Sequence, residues 1–278
     1  MAPTAPSPER RRDGLALERL VDVMARLRDK EKGCPWDLEQ DLKSLRPYLI
    51  EEAYEVLEAI DQGDVEEHRK ELGDLLLQVV FQARLREEEE RFGFADVADA
   101  IVDKLVYRHP HVFGDWKVSG SGEVLANWAK LKKAERVAAG ARDPSAVDGV
   151  PRALPALVRS ERLGEKASRV GFDWASVHEV RQKVDEELQE IETALASGDR
   201  AAIAEELGDL LFAVAQFARK AGAHPEDALR EAAAKFERRF RAMEGLARER
   251  GQALEKLDPK ALDELWNEVK DQRRGHAR

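Results

Sequence analysis

Glu71-Leu72-Gly73-Asp74-Leu75-Leu76 is repeated without change at 206–211. The repeat decides the fold, because each copy sits inside a helical pattern. In the first copy Leu72, Leu75, Leu76, Val79 and Ala83 recur at the three- and four-residue spacing of one helix face. Upstream, Gly63-Asp64 reappears as Gly198-Asp199, and Glu51-Glu52-Ala53-Tyr54-Glu55 as Glu186-Glu187-Leu188-Gln189-Glu190. Residue 51 answers to 186, 63 to 198 and 71 to 206, a single register of 135 positions. Chance places one acidic pair readily, but not three motifs in one register.

The repeat extends downstream with small gaps. Lys104 and Arg108 match Lys235 and Arg239, and Trp128 and Lys132 match Trp266 and Lys270, each pair four residues apart. Two further apolar faces have helical spacing: Leu17, Leu20, Val21, Met24 and Leu27, then Leu49, Ala53, Val56, Leu57 and Ile60. Pro47 stands near the start of the second of these helices, where its missing N–H costs little. No long alternating run suggests strands. The small residues, Gly140 and Pro144 of 138–145 read as a connection. The expectation is an all-α chain of two tandem helical bundles of about four helices each. Residues 1–13 are read as a disordered N-terminus, 14–140 and 153–272 as the two domains, 141–152 as the linker, and the Arg-rich 272–278 as a frayed end.

Composition narrows the function. Of 278 residues, 43% are hydrophobic and 37% charged, enough apolar material for real cores. The net charge of −10 argues against a nucleic acid polymer as partner. It leaves open a small phosphorylated ligand neutralised by metal ions. The one cysteine, Cys34, rules out an internal disulfide framework and suits a reducing, cytoplasmic setting. No apolar stretch is long enough for a signal or a membrane span.

The chemistry lies in the carboxylates. Glu52 and Glu55 share a helix face, as do Glu71 and Asp74 on the next helix. A short turn at Gly63-Asp64 makes the two helices antiparallel neighbours, so the four groups converge. The second half supplies Glu187, Glu190, Glu206 and Asp209, with Glu186 beside them. A single Glu in so charged a chain is usually just solvated. Like charges crowded twice in register point instead to hard-oxygen ligands for Mg²⁺, with Mn²⁺ as a substitute. Glu87-Glu88-Glu89-Glu90 has no counterpart in the second half and reads as a solvated face. A di-iron bundle would need Glu-x-x-His, which none of the six histidines provides. His109 and His111 flank Pro110 in a turn and read as structural. No Gly-rich phosphate loop is present, so phosphates would be held by metal and by Lys and Arg donors.

These motifs resemble the MazG family of nucleoside triphosphate pyrophosphohydrolases in its tandem form. The likeness rests on Glu51, Glu52, Glu55, Glu71 and Asp74 and on Glu186, Glu187, Glu190, Glu206 and Asp209. It is strengthened by Gly33-Cys34-Pro35-Trp36-Asp37, by 108–113 and by 235–240. The resemblance implies an all-α homodimer that cleaves nucleoside triphosphates between the α and β phosphates with Mg²⁺. It implies Glu187, Glu190, Glu206 and Asp209 as catalytic and metal-holding, and Glu52, Glu55, Glu71 and Asp74 as metal ligands. Lys235, Arg239, Trp266 and Lys270 match the family's substrate positions, with Lys104, Arg108, Trp128 and Lys132 as their counterparts. The chain departs from the family after Gln40, where Asp41-Leu42 replaces a Thr-His pair. The added negative charge is expected to weaken triphosphate binding by the first half. A non-catalytic nucleotide sensor or adaptor is the alternative. A degenerate acidic motif would favour it, and neither motif is degenerate.

Overall fold

The computed structural model describes residues 8–138, 140 and 145–276. Their regular structure is helical throughout, and they fall into two compact units that divide between residues 135 and 136. The first unit contains α1 (Pro8–Leu27), α2 (Pro35–Glu39), α3 (Arg46–Gln62), α4 (Val65–Glu88), α5 (Phe94–Arg108), α6 (Pro110–Phe113) and α7 (Ser121–Ala138), whose last three residues fall in the second unit. The second contains α8 (Ala156–Ser168), α9 (Val177–Ser197), α10 (Arg200–Lys220), α11 (Pro225–Glu249), a 3₁₀ turn (Leu254–Lys256) and α12 (Pro259–His276). The first unit thus adds the short α2 and α6 to its long helices. Helix α1 starts at Pro8, so 8–13 are helical rather than part of a disordered N-terminus, and α12 runs through most of the expected frayed end. Residues 1–7, residue 139, the first four residues of the expected linker at 141–144, and 277–278 lie outside the described residues.

The repeated Gly-Asp pair is the device that folds each half. Gly63 closes α3 in the left-handed region at φ 70°, and Gly198 closes α9 at φ 71°. Glycine adopts that conformation without a Cβ clash. The following aspartate caps the next helix. Asp64 accepts from the backbone N–H of Glu66 at 3.1 Å and of Glu67 at 3.0 Å, and Asp199 accepts from Ala201 at 2.9 Å. Helices α3 and α4 therefore run back along each other, as do α9 and α10.

In the first unit α1 packs on α4 through Met24, Val80, Phe81 and Leu85, with Leu20, Val21, Leu27 and Leu42 around them. Buried Arg28 ties this corner together. It donates to the Glu88 carboxylate at 2.7 Å, to the carbonyl oxygens of Asp37 and Gln40, and lies over the Phe81 ring. The acidic run at 87–90 is therefore not simply solvated. Glu88 is the anchor that Arg28 needs, and Arg84 clamps Glu87 and Glu88.

In the second unit, fully buried Gln216 on α10 donates to the Ser160 carbonyl at 2.7 Å and accepts from Arg219 Nε at 2.7 Å. A Cβ at Gly164 would lie 1.8 Å from Gln216 Oε1, so only glycine lets α8 approach there. Arg219 and Lys220 both reach Asp173, at 2.6 and 2.9 Å. Hydrogen bonds from Arg219 and then Lys220, backed by their charges, hold its carboxyl down at about 2. A second core joins α11 to α12 through Met243, Ala247, Leu265 and Val269.

One expected face differs in its surroundings. Leu49, Leu57 and Ile60 on α3 have helical spacing, yet they are 36%, 38% and 53% exposed. Leu195 and Leu211 on the second hairpin are left more than half exposed. The apolar periodicity is real, but among the described residues these side chains stay partly or largely exposed.

Candidate metal and nucleotide site

The α3–α4 hairpin brings Glu52, Glu55 and Glu71 together, with a carboxylate oxygen of each within 4.8 Å of the others. The α9–α10 hairpin does the same with Glu187, Glu190 and Glu206. Asp74 stands outside this tight triad but close enough for its charge to act on both Glu52 and Glu71. Asp209, its counterpart on α10, is also outside the second triad.

Crowding shows in the acidities. Burial first, then the charges of Asp74, Glu55 and Glu71, push the Glu52 carboxyl up to about 6. Glu71 is raised by desolvation and by Glu55, and Glu190 by desolvation and by Glu187. Groups that resist ionisation together are stabilised as anions by a cation placed among them.

The second cluster carries the stronger sign of a ligand. Glu187 is 4% exposed, and its Oε2 has no hydrogen-bond partner among the described residues. A buried carboxylate oxygen left unpaired is costly, and such groups in native proteins call for an explanation. Every donor in both triads is a hard oxygen, the set Mg²⁺ and Mn²⁺ take. The residues therefore fit a divalent ion.

Lys183 is a residue that the motif reading missed. One turn before the cluster, it reaches Glu186 and Glu187, each at 2.7 Å. The signal was available as the three- and four-residue spacing from a lysine to two of the motif's glutamates.

The cationic candidates divide by half. Lys235 and Arg239 lie on α11 and make no ion pair among the described residues. Beside them Phe236 stacks on Phe240 at 6.0 Å and meets Trp266 of α12 at 5.3 Å. These rings line an open cleft of about 640 Å³. Lys270 follows Trp266 by one helical turn on α12. In the first unit Arg108 is already committed, its Nε 2.9 Å from the Glu135 carboxylate. Lys104 and Lys132 also bear on that carboxylate and help hold it below its usual range. Trp128 donates its indole N–H to the Arg108 carbonyl at 2.8 Å. The expected cationic set on α5 and α7 is thus assembled, but around an internal anion. His109 packs edge-on against Trp128 at 5.0 Å, with Nδ1 2.6 Å from the Leu105 carbonyl oxygen.

Asp41 has a local structural role. Its Oδ1 accepts from the backbone of Lys43 and Ser44, both at 2.7 Å, and these bonds lower its pKa. Leu42 packs into the α1–α4 core.

An all-α chain with two in-register carboxylate clusters on helical hairpins offers two candidate sites for a divalent ion. Comparison with known proteins gives the family. The MazG nucleotide pyrophosphohydrolase domain matches twice, over residues 40–113 and 175–244. The chain is similar to the Escherichia coli nucleoside triphosphate pyrophosphohydrolase, 47% identical over 92% of this chain and 97% of that one. It is 42% identical to the Thermotoga maritima nucleoside triphosphate pyrophosphohydrolase/pyrophosphatase MazG, over 92% and 96%. The chain belongs to the MazG family.

Proposed function

We propose that the protein hydrolyses nucleoside triphosphates to monophosphates and pyrophosphate with Mg²⁺, chiefly at the second acidic cluster. The observation that carries this reading is the buried, unpartnered Oε2 of Glu187 within the Glu187, Glu190 and Glu206 triad. Family membership and the two relatives' names support the reaction class.

Glu187, Glu190, Glu206 and Asp209 would hold the cation, and Glu52, Glu55, Glu71 and Asp74 its counterpart in the first half. Mg²⁺, when bound, supplies positive charge against the triphosphate oxygens and makes water a better nucleophile. A carboxylate of the cluster takes the proton of the attacking water as it adds to the α-phosphorus. Lys235, Arg239 and Lys270 donate to the phosphate oxygens and offset charge on the departing pyrophosphate. Trp266 and Phe236 give the base an aromatic face. Lys104, Arg108, Trp128 and Lys132 are the equivalent substrate positions of the first half. The Arg108–Glu135 pair must open before they serve that role, which favours the second half as the main catalyst.

The uncovered stripes on α3 and on the α9–α10 hairpin support a homodimer, since contiguous exposed apolar surface usually marks an interface. Light scattering that reports a 31.3 kDa particle would count against it. The linker is placed at 141–152 and the protein in the cytoplasm. No helix among the described residues is long and apolar enough to cross a membrane. Product chromatography with each canonical nucleoside triphosphate and Mg²⁺ tests the central reading. Monophosphate with pyrophosphate is expected, and diphosphate with orthophosphate would overturn it.

A further inference from the structure

The two acidic clusters share their glutamates in register but not their countercharge. Residue 183 of the second half corresponds to residue 48 of the first, Lys183 to Tyr48. Lys183 Nζ lies 2.7 Å from Glu186 Oε1 and 2.7 Å from Glu187 Oε1. Its charge also acts on Glu190. In the first cluster the groups that act on Glu52 are Asp74, Glu55 and Glu71, all acidic. The neighbouring Lys70 is engaged by Glu67 at 2.6 Å.

We infer that Lys183 is the resident counter-ion of the second cluster, displaced when a divalent ion enters, so that the two clusters bind metal with unequal affinity. The inference rests on the metal-binding reading of both clusters and goes beyond it by naming the residue that sets their difference. The ammonium satisfies Oε1 of Glu187 and leaves the buried Oε2 without a hydrogen-bond partner among the described residues. One monovalent head on a flexible stem neutralises part of the cluster, whereas an ion bound among three carboxylates meets all of them. An arriving ion must first break two ion pairs, one of them to a carboxylate that is 4% exposed. That cost is absent in the first cluster, where the aligned Tyr48 carries no charge.

The test is Mn²⁺ binding to the full chain without nucleotide, read as the loss of the free-ion electron paramagnetic resonance signal. Wild type should show two affinity classes. Lys183→Met, which keeps the stem and removes the charge, should tighten the weaker class by about tenfold, the scale of losing a close competing charge pair. Lys183→Arg should leave that class weak. Tyr48→Lys should weaken the tighter class. These readouts separate a counter-ion from a lysine that merely packs, since Met packs as well. If Lys183→Met leaves both classes unchanged while Glu187→Gln still abolishes the weaker one, the counter-ion inference is overturned and the metal reading stands. If neither Glu187→Gln nor Glu52→Gln alters Mn²⁺ binding, both fall together.

Discussion

Replacing Glu52 by Gln should make the chain more stable in metal-free buffer while weakening its hold on a divalent ion. Glu52 sits among Glu55, Glu71 and Asp74, and burial with their charges lifts its carboxyl from 4.5 to about 6. The folded protein keeps this proton until about pH 6, whereas the unfolded chain releases it near 4.5. Unfolding therefore releases a proton in that window, and stability falls as pH rises through it. Above pH 6 the full penalty is present. At about 1.4 kcal/mol per pH unit the rise corresponds to about 2 kcal/mol, and solvent around this half-open group reduces that to about 1 kcal/mol. Gln keeps the shape and removes the charge, so the variant should gain about 1 kcal/mol, or a few degrees in melting temperature. Urea unfolding followed by circular dichroism, with a chelator, at about pH 4 and about pH 8 measures it. The advantage should be absent at the lower pH and present at the higher one. Adding Mg²⁺ should then stabilise wild type more than the variant, because a ligand stabilises only the fold that binds it. A variant less stable than wild type at about pH 8 with chelator, or equally advantaged at both pH values, would refute the view that crowded carboxylates store cost here for a cation.

Asp173→Asn should do the reverse. Its pairs with Arg219 and Lys220 hold the carboxyl at about 2, so their stabilisation is whole above the ordinary 3.8 and drains away as pH falls toward 2. The loss should be about 1–2 kcal/mol at neutral pH and vanish in acid, as thermal unfolding at the two extremes can check. Steady-state assays should show that Glu187→Gln or Asp209→Asn removes most turnover and Glu52→Gln or Asp74→Asn less. An inactive Asp74 variant beside a fully active Asp209 variant would reverse the assignment of halves. Exhaustive dialysis against EDTA should abolish turnover and Mg²⁺ or Mn²⁺ restore it. Full activity of the dialysed protein would exclude carboxylate-held metal chemistry.

The hairpins were legible in the sequence because their determinants are local. A left-handed glycine followed by a capping aspartate is a property of two adjacent residues, and it reads the same at 63–64 and 198–199. The carboxylate triads followed from that turn and from helical spacing alone. What escaped was decided across the fold. Arg28 and Glu88 are far apart in sequence and meet only because α1 lies on α4, so Glu88 looked like one member of an acidic run. Asp41 looked like misplaced charge in a binding segment, but its oxygen is occupied by the turn before α3. Arg108 also pairs with Glu135, a contact that depends on how α7 returns to α5. Periodicity likewise found the apolar faces of α3 and α4 without telling which of their residues stay exposed.

The same limit explains why two identical motifs need not make two identical sites. Leu72 and Leu207, Gly73 and Gly208, and every cluster glutamate agree between halves, so the ligand atoms themselves carry no difference. The difference lies in what faces them. In the first half the cluster acidities are raised by burial and then by acidic neighbours, and the arginine of the expected substrate set is bound to Glu135. In the second half Lys183 balances two of the acids, Glu187 is buried with one oxygen unpaired, and Arg239 stands without an ion pair among the described residues beside an aromatic cleft. A cluster that is repelled from within binds a cation readily but gives a polyanion few donors. A cluster already part-neutralised gives up some metal affinity, and its half keeps Lys235 and Arg239 available for phosphate. On that reasoning the half that binds a bare ion more tightly is not the half that turns over nucleotide faster, and the Mn²⁺ isotherms and the turnover of the same four acidic variants should rank the two halves in opposite order.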